Sequence, residues 1–209
     1  PLIARVAREG KPMIVSIGMA HLGEIQEAVD CARGGGCSEL ALLHCTSAYP
    51  APIEEANVRT VAHLGAAFGV VPGLSDHTPG TAAAVAAVVM GAAIVEKHFT
   101  LSRSDGGPDS AFSLEPDEFR RLVDDCKAAW RAVGEVDYSR TEAERGSVVF
   151  RRSLYIVQDV ARGESLSRAN VRSIRPGHGL APKHFDAVIG RRAARDLKRG
   201  EALRWDDVM

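Results

Sequence analysis

The sequence predicts an α/β protein in two parts, the C-terminal half of a (β/α)8 TIM barrel followed by a small β-rich domain. Three observations predict it. Four times in the first 130 residues, a short apolar run is followed by a polar turn and a helix-period stretch. Four such units fall well short of the roughly 250 residues that close an eight-stranded barrel. Beyond residue 150 the pattern changes to a repeat with an offset of 37 residues.

The strand runs are Pro12–Ile17, Glu39–Cys45, Gly69–Leu74 and Ala92–Glu96. Helices are expected from about Leu22, Ile53 and Thr81, and a fourth from Pro116 with Ser113 and Glu115 as capping candidates. Near-continuous apolar strands alternating with helices imply a parallel sheet. An open dinucleotide-binding sheet is disfavoured, because Gly34, Gly35 and Gly36 follow a helix rather than a strand and read as a helix stop. The organisation predicted is a half barrel over 1–134, a polar linker over 135–149 and a second domain over 150–209. In the second domain, Asp159-Val-Ala-Arg162-Gly163-Glu164-Ser-Leu166 recurs as Asp196-Leu-Lys-Arg199-Gly200-Glu201-Ala-Leu203. Each copy is expected to run strand, tight Arg-Gly turn and short return, giving a compact pseudo-symmetric fold.

Composition excludes several classes. With 45% apolar and 25% charged residues, the chain reads as an ordinary globular protein rather than a disordered one. Its richest apolar stretch, Thr81–Val95, is mostly Ala and too short for the roughly 20 residues a membrane helix needs. The chain opens on Pro1 with no secretion-signal pattern, so the protein's own start is expected to lie upstream. Four cysteines without CxxC spacing suit reduced, packed thiols and a cytoplasmic location. Residues 1–150 carry a net charge of −7 and residues 151–209 one of +6, which suggests docking of one part on the other, within a chain or between chains. No nucleic-acid-binding motif accompanies the basic part.

In a barrel, loops at the C-terminal ends of the strands build the site. Those ends hold Ser16; Ser47 and Tyr49; Ser75, Asp76 and His77; and Glu96, Lys97 and His98. His77 and His98 close adjacent strands and converge, and two neutral imidazoles suit a divalent metal that leaves positions open for substrate oxygen. The competing reading is a pair of hydrogen-bonded structural histidines. Asp76 and Glu96 are expected either to orient the rings or to sit in buried ion pairs. Lys97 alternates to the other side of its strand, which favours a salt bridge behind the sheet over a Schiff base. Ser16, Ser47 and Ser75 offer hydrogen bonds to a phosphate or carboxylate.

KPMIVSIGMA, LLHCTSAYPAP, GLSDHTPG, AAIVEKHFTL and FSLEPDEF resemble, in order and spacing, the second barrel half of the sialic acid (nonulosonic acid) synthase family. RRSLYIVQDVARGESL and SIRPGHGLAPK resemble its C-terminal antifreeze-like (SAF) domain, a β-clip fold. The loop SDGGPDSAFSLEP is most similar to the pseudaminic acid synthase branch. The resemblance implies condensation of phosphoenolpyruvate with an N-acetylated, diacetamido aldose to give a nonulosonic acid, pseudaminic acid in that branch, and phosphate. Alternatives are N-acetylneuraminate or legionaminate as product, or an inactive fragment acting only as a sugar- or partner-binding module. It further implies that His77 and His98 hold Mn2+ or Mg2+ and that Glu96 acts near the reacting carbon. By the same resemblance, Ser16, Ser47, Tyr49 and Ser75 contact substrates, and Arg175 reaches the sugar across a domain-swapped homodimer. The family draws its phosphate-holding lysines from the preceding barrel half, so these 209 residues alone are expected to be inactive.

Overall fold

The computed structural model describes all 209 residues, which divide into two compact units, Pro1–Glu135 and Val136–Met209. In the first unit, α1 (Leu2–Ala7) precedes β1 (Met13–Ser16), α2 (Leu22–Gly34), β2 (Leu40–Cys45), α3 (Arg59–Phe68), β3 (Val71–Asp76), α4 (Ala82–Val89), β4 (Ile94–Lys97) and α5 (Pro116–Val133). The four strands lie parallel in sequence order, β1-β2-β3-β4. Parallel neighbours need crossover connections, which the helices between the strands supply.

One face of the sheet is packed. Met13, Leu40 and Leu42 meet Ile25, Val29, Leu64 and Phe68 in a continuous core. Leu74 joins Val61, Ala83 and Ala87, and Val95 joins Leu114 and Leu122. The opposite, inner face is open, with Ile14 60% and Val71 46% exposed. At its middle, Gly73 lets Leu43 and Ile94 approach, because a Cβ there would fall 2.7 Å from the Ile94 carbonyl oxygen and into the Leu43 side chain.

Local chemistry sets the helix ends. His21 caps α2 with a reciprocal pair, its own N–H donating to Glu24 Oε2 (2.9 Å) and its Nδ1 accepting the Glu24 N–H. Glu115 and Glu118 make the same box at α5, with Pro116 at the first helical position. Ser113, the other candidate cap, instead donates to the Asp109 carbonyl (2.8 Å). The helix expected from Ile53 begins six residues later at Arg59. Ile53–Glu55 forms only a 3-10 turn, and Asn57 takes a left-handed φ of 40°, which interrupts helical propagation.

The second unit begins within the segment expected as linker, where α6 (Glu142–Arg145) and a 3-10 turn (Gly146–Phe150) occur. Strands β5 (Ser153–Ile156) and β6 (Val171–Ile174) pair antiparallel, and α7 (Phe185–Val188) follows. Leu154, Ile156, Val160, Leu166, Val171, Leu197 and Leu203 form its core. The repeated segments face each other through reciprocal bonds between Val160 and Leu197, 2.9 and 2.8 Å. Asp159 accepts the Arg199 N–H (2.8 Å) while Asp196 accepts the Arg162 N–H (2.7 Å), so the repeat folds as a pseudo-twofold pair. The predicted strands in each copy are reduced to isolated bridges, because Gly163 and Gly200 turn the chain at φ 79° and 95° within a few residues of each bridge.

Candidate active site

Strand alternation places the polar residues. Ser75 and Glu96 are register partners on the inner face, with Ser75 Oγ donating to Glu96 Oε1 at 2.6 Å. Asp76 and Lys97 are the next partners and face the helices, where Lys97 Nζ lies 2.7 Å from Asp76 Oδ2 with both side chains almost fully buried. The salt bridge expected behind the sheet is therefore present. His77 and His98, one residue further along each strand, return to the inner side with ring centroids 5.1 Å apart.

The two rings differ in how their Nδ1 is held. His77 Nδ1 lies 2.9 Å from the Thr46 carbonyl, an acceptor only, so Nδ1 carries the proton and Nε2 keeps its lone pair. His98 Nδ1 lies 3.6 Å from Asp109 Oδ2. Asp76 and Glu96, expected to orient the rings, are instead committed to Lys97 and Ser75. The Thr46 carbonyl takes that role for His77, and the Asp109 carboxylate is the nearest charged group to His98. The two imidazoles stand close enough to share one divalent metal, with His77 offering Nε2. Nowhere in the chain do three or more His, Cys, Asp or Glu side chains gather around one ion position.

Aromatic rings wall this pair. Tyr49 lies 4.3 Å from the His77 ring and Phe112 5.1 Å from His98, centroid to centroid. Phe112 and Asp109 were not singled out by sequence reasoning. Both lie in the Gly-rich loop between β4 and α5, and the rule that such loops build a barrel's site was the signal that pointed there.

The serines are placed unevenly. Ser16 stands exposed at the inner end of β1. Ser47 abuts Gly18, whose missing Cβ leaves room for its hydroxyl, and Cys45 Sγ is 3.8 Å from both Ser47 Oγ and His77 Nδ1. All four cysteines are free thiols. Burial, then the nearby Asp125 and Asp76 carboxylates, push the Cys126 thiol up and keep it protonated. Arg175 belongs to the second unit, exposed just after β6 in a loop anchored by buried Ser153. That hydroxyl donates to the Pro176 carbonyl (2.7 Å) and accepts the Gly179 N–H (3.0 Å).

A parallel β/α sheet with two metal-competent imidazoles at its C-terminal edge, joined in one chain to a pseudo-symmetric module, defines a class of two-domain α/β proteins. The chain belongs to the NeuB family, which it matches over residues 1–138, and residues 151–209 match the SAF domain. It is 41% identical to the pseudaminic acid synthase of Campylobacter jejuni over 97% of this chain and 59% of that protein. To that organism's N,N'-diacetyllegionaminic acid synthase it is 36% identical, over 98% and 62%. The crystal structure of the Bacillus subtilis spore coat polysaccharide biosynthesis protein spsE superposes with a TM-score of 0.61 at 33% identity, covering 100% of this chain and 64% of that one. The chain spans about three fifths of the length of the curated relatives it matches.

Proposed function

We propose that the protein is a phosphoenolpyruvate-dependent nonulosonic acid synthase, condensing phosphoenolpyruvate with a diacetamido aldose to give pseudaminic acid and phosphate. The observation that carries this reading is the imidazole pair, ring centroids 5.1 Å apart and His77 Nδ1 bonded to the Thr46 carbonyl, at the strand ends of a NeuB-family sheet. The open inner face supports a sheet that is half of a (β/α)8 barrel, with further strands of the full-length protein covering Ile14 and Val71.

Bound to His77 and His98, Mn2+ or Mg2+ would supply Lewis acidity toward the sugar aldehyde. The chain's own residues do the rest. Thr46 holds the His77 imidazole in one tautomer and orientation, and Asp109 places a carboxylate beside His98. Glu96, kept in place by Ser75, presents a carboxylate on the inner face to accept a proton from the water that attacks phosphoenolpyruvate. Ser16 and Ser47 donate hydrogen bonds to the anionic substrate, and Tyr49 shields one side of the site. Arg175 contacts the sugar from the SAF domain of a second protomer in a domain-swapped dimer. The opposite net charges of the two chain parts favour that docking. Reduced cysteines fit a cytoplasmic enzyme.

The test is to mix the full-length protein with phosphoenolpyruvate, Mn2+ and either a 2,4-diacetamido-trideoxy-altrose or N-acetylmannosamine, and to follow phosphate release. Release with the altrose derivative is expected. No release with either sugar overturns the reading. Similarity to the legionaminic acid synthase supports a second reading, in which the legionaminate precursor is the better substrate.

A further inference from the structure

Lys97 and Asp76 form the one ion pair in the first unit with both side chains almost wholly buried, 2% and 1% exposed. Around them the outer face is apolar, with Leu74, Val95, Leu114 and Leu122 packed nearby along the same strands and helix. An apolar pair of similar volume commonly stabilises such a site as well or better, so stability does not explain the charges. Their bonding pattern offers another reason. Lys97 Nζ donates to Asp76 Oδ2 and to the Thr78 carbonyl. Asp76 Oδ1 in turn accepts the Thr78 N–H (2.9 Å) and hydroxyl (2.8 Å). One ammonium, on the residue preceding His98, therefore grips both chain neighbours of His77.

The sheet itself does not do this. Its ladder ends at the Asp76–Lys97 register pair, one residue short of both histidines. The other backbone bonds at these residues lead outward: the His77 carbonyl accepts the Ala51 N–H, and the His98 carbonyl accepts the Leu114 N–H, each at 2.9 Å. They tie His77 to the loop after β2 and His98 to the loop after β4, and not to each other. We propose that the Lys97–Asp76 pair is a positioning device that fixes the spacing of His77 and His98 for metal binding. This rests on the reading of those histidines as metal ligands.

The experiment is a titration of the full-length protein with Mn2+, followed by calorimetry, alongside thermal unfolding. The double variant Asp76→Asn/Lys97→Met removes both charges and avoids stranding either one in the core. It is expected to keep a cooperative thermal transition and to bind Mn2+ at least tenfold more weakly. Native affinity in that folded variant overturns the proposal. Should it not fold, Thr78→Val removes one bond to Asp76 at constant shape, and a two- to fivefold weaker affinity is expected; unchanged affinity again overturns it. If the unsubstituted protein binds Mn2+ no better than His77→Ala, the metal reading itself falls, and the positioning role with it.

Discussion

Tyr49 packs its ring against His77 with centroids 4.3 Å apart and planes inclined by 36°. Such contacts are worth about 0.5–1.5 kcal/mol beyond the area they bury, and here they also limit rotation of a proposed ligand. Tyr49→Ala is expected to weaken Mn2+ binding by roughly two- to twelvefold, the same energy expressed as affinity. Tyr49→Phe retains the ring and should bind within about twofold of the parent. Calorimetric titration of the full-length protein distinguishes the two; equal losses in both variants would assign the effect to the hydroxyl.

Gly73 carries a second prediction, about packing. A methyl group there meets the Leu43 side chain and the Ile94 backbone, neither of which is the free end of a long chain. Overpacking of this kind costs about 1–3 kcal/mol. Gly73→Ala should lower the urea midpoint of the first unit accordingly, and an unchanged midpoint would show that β3 and β4 separate freely.

How much of this was legible beforehand differs by feature. The four strands were readable because buried parallel strands are continuously apolar, and the observed Leu40–Cys45 lies inside the run read from sequence. The start of α3 was not, since apolar spacing runs through Asn57 and only its left-handed φ breaks the helix. Alternation along a strand correctly separated Lys97 from Glu96 and His98. The same rule, applied to Asp76, would have removed it as a partner for His77. Asp109 and Phe112 reach the histidines from a loop eleven and fourteen residues past His98, a distance at which no periodic pattern connects residues.

Ser153 provides a third prediction. It is 1% exposed and is bonded to both the Pro176 carbonyl and the Gly179 N–H, closing the loop that presents Arg175. Ser153→Ala strands both groups without their partner, at about 1–3 kcal/mol. Faster hydrogen exchange is expected at the Gly179 amide. If the full-length protein has the proposed activity, the KM for the sugar should rise more than that for phosphoenolpyruvate. The opposite order would contradict the placement of Arg175 at the sugar.

The SAF repeat predicts acid behaviour through its broken symmetry. Asp159 and Asp196 each accept an arginine amide, but Lys198 adds an ammonium 2.9 Å from Asp159, and the position equivalent to Lys198 in the first copy is Ala161. The Arg199 amide, and then Lys198, hold the Asp159 carboxyl below its ordinary value. Arg195, and then the Lys198 amide, do the same for Glu201. A depressed folded-state value means stability that is fully present above the ordinary carboxylate range and lost as pH falls through the lower folded values. The second unit should therefore weaken from about pH 4 downward. With Trp130→Phe leaving Trp205 as reporter, Asp159→Asn should flatten that decline. A steeper acid loss in Asp159→Asn would reverse the assignment.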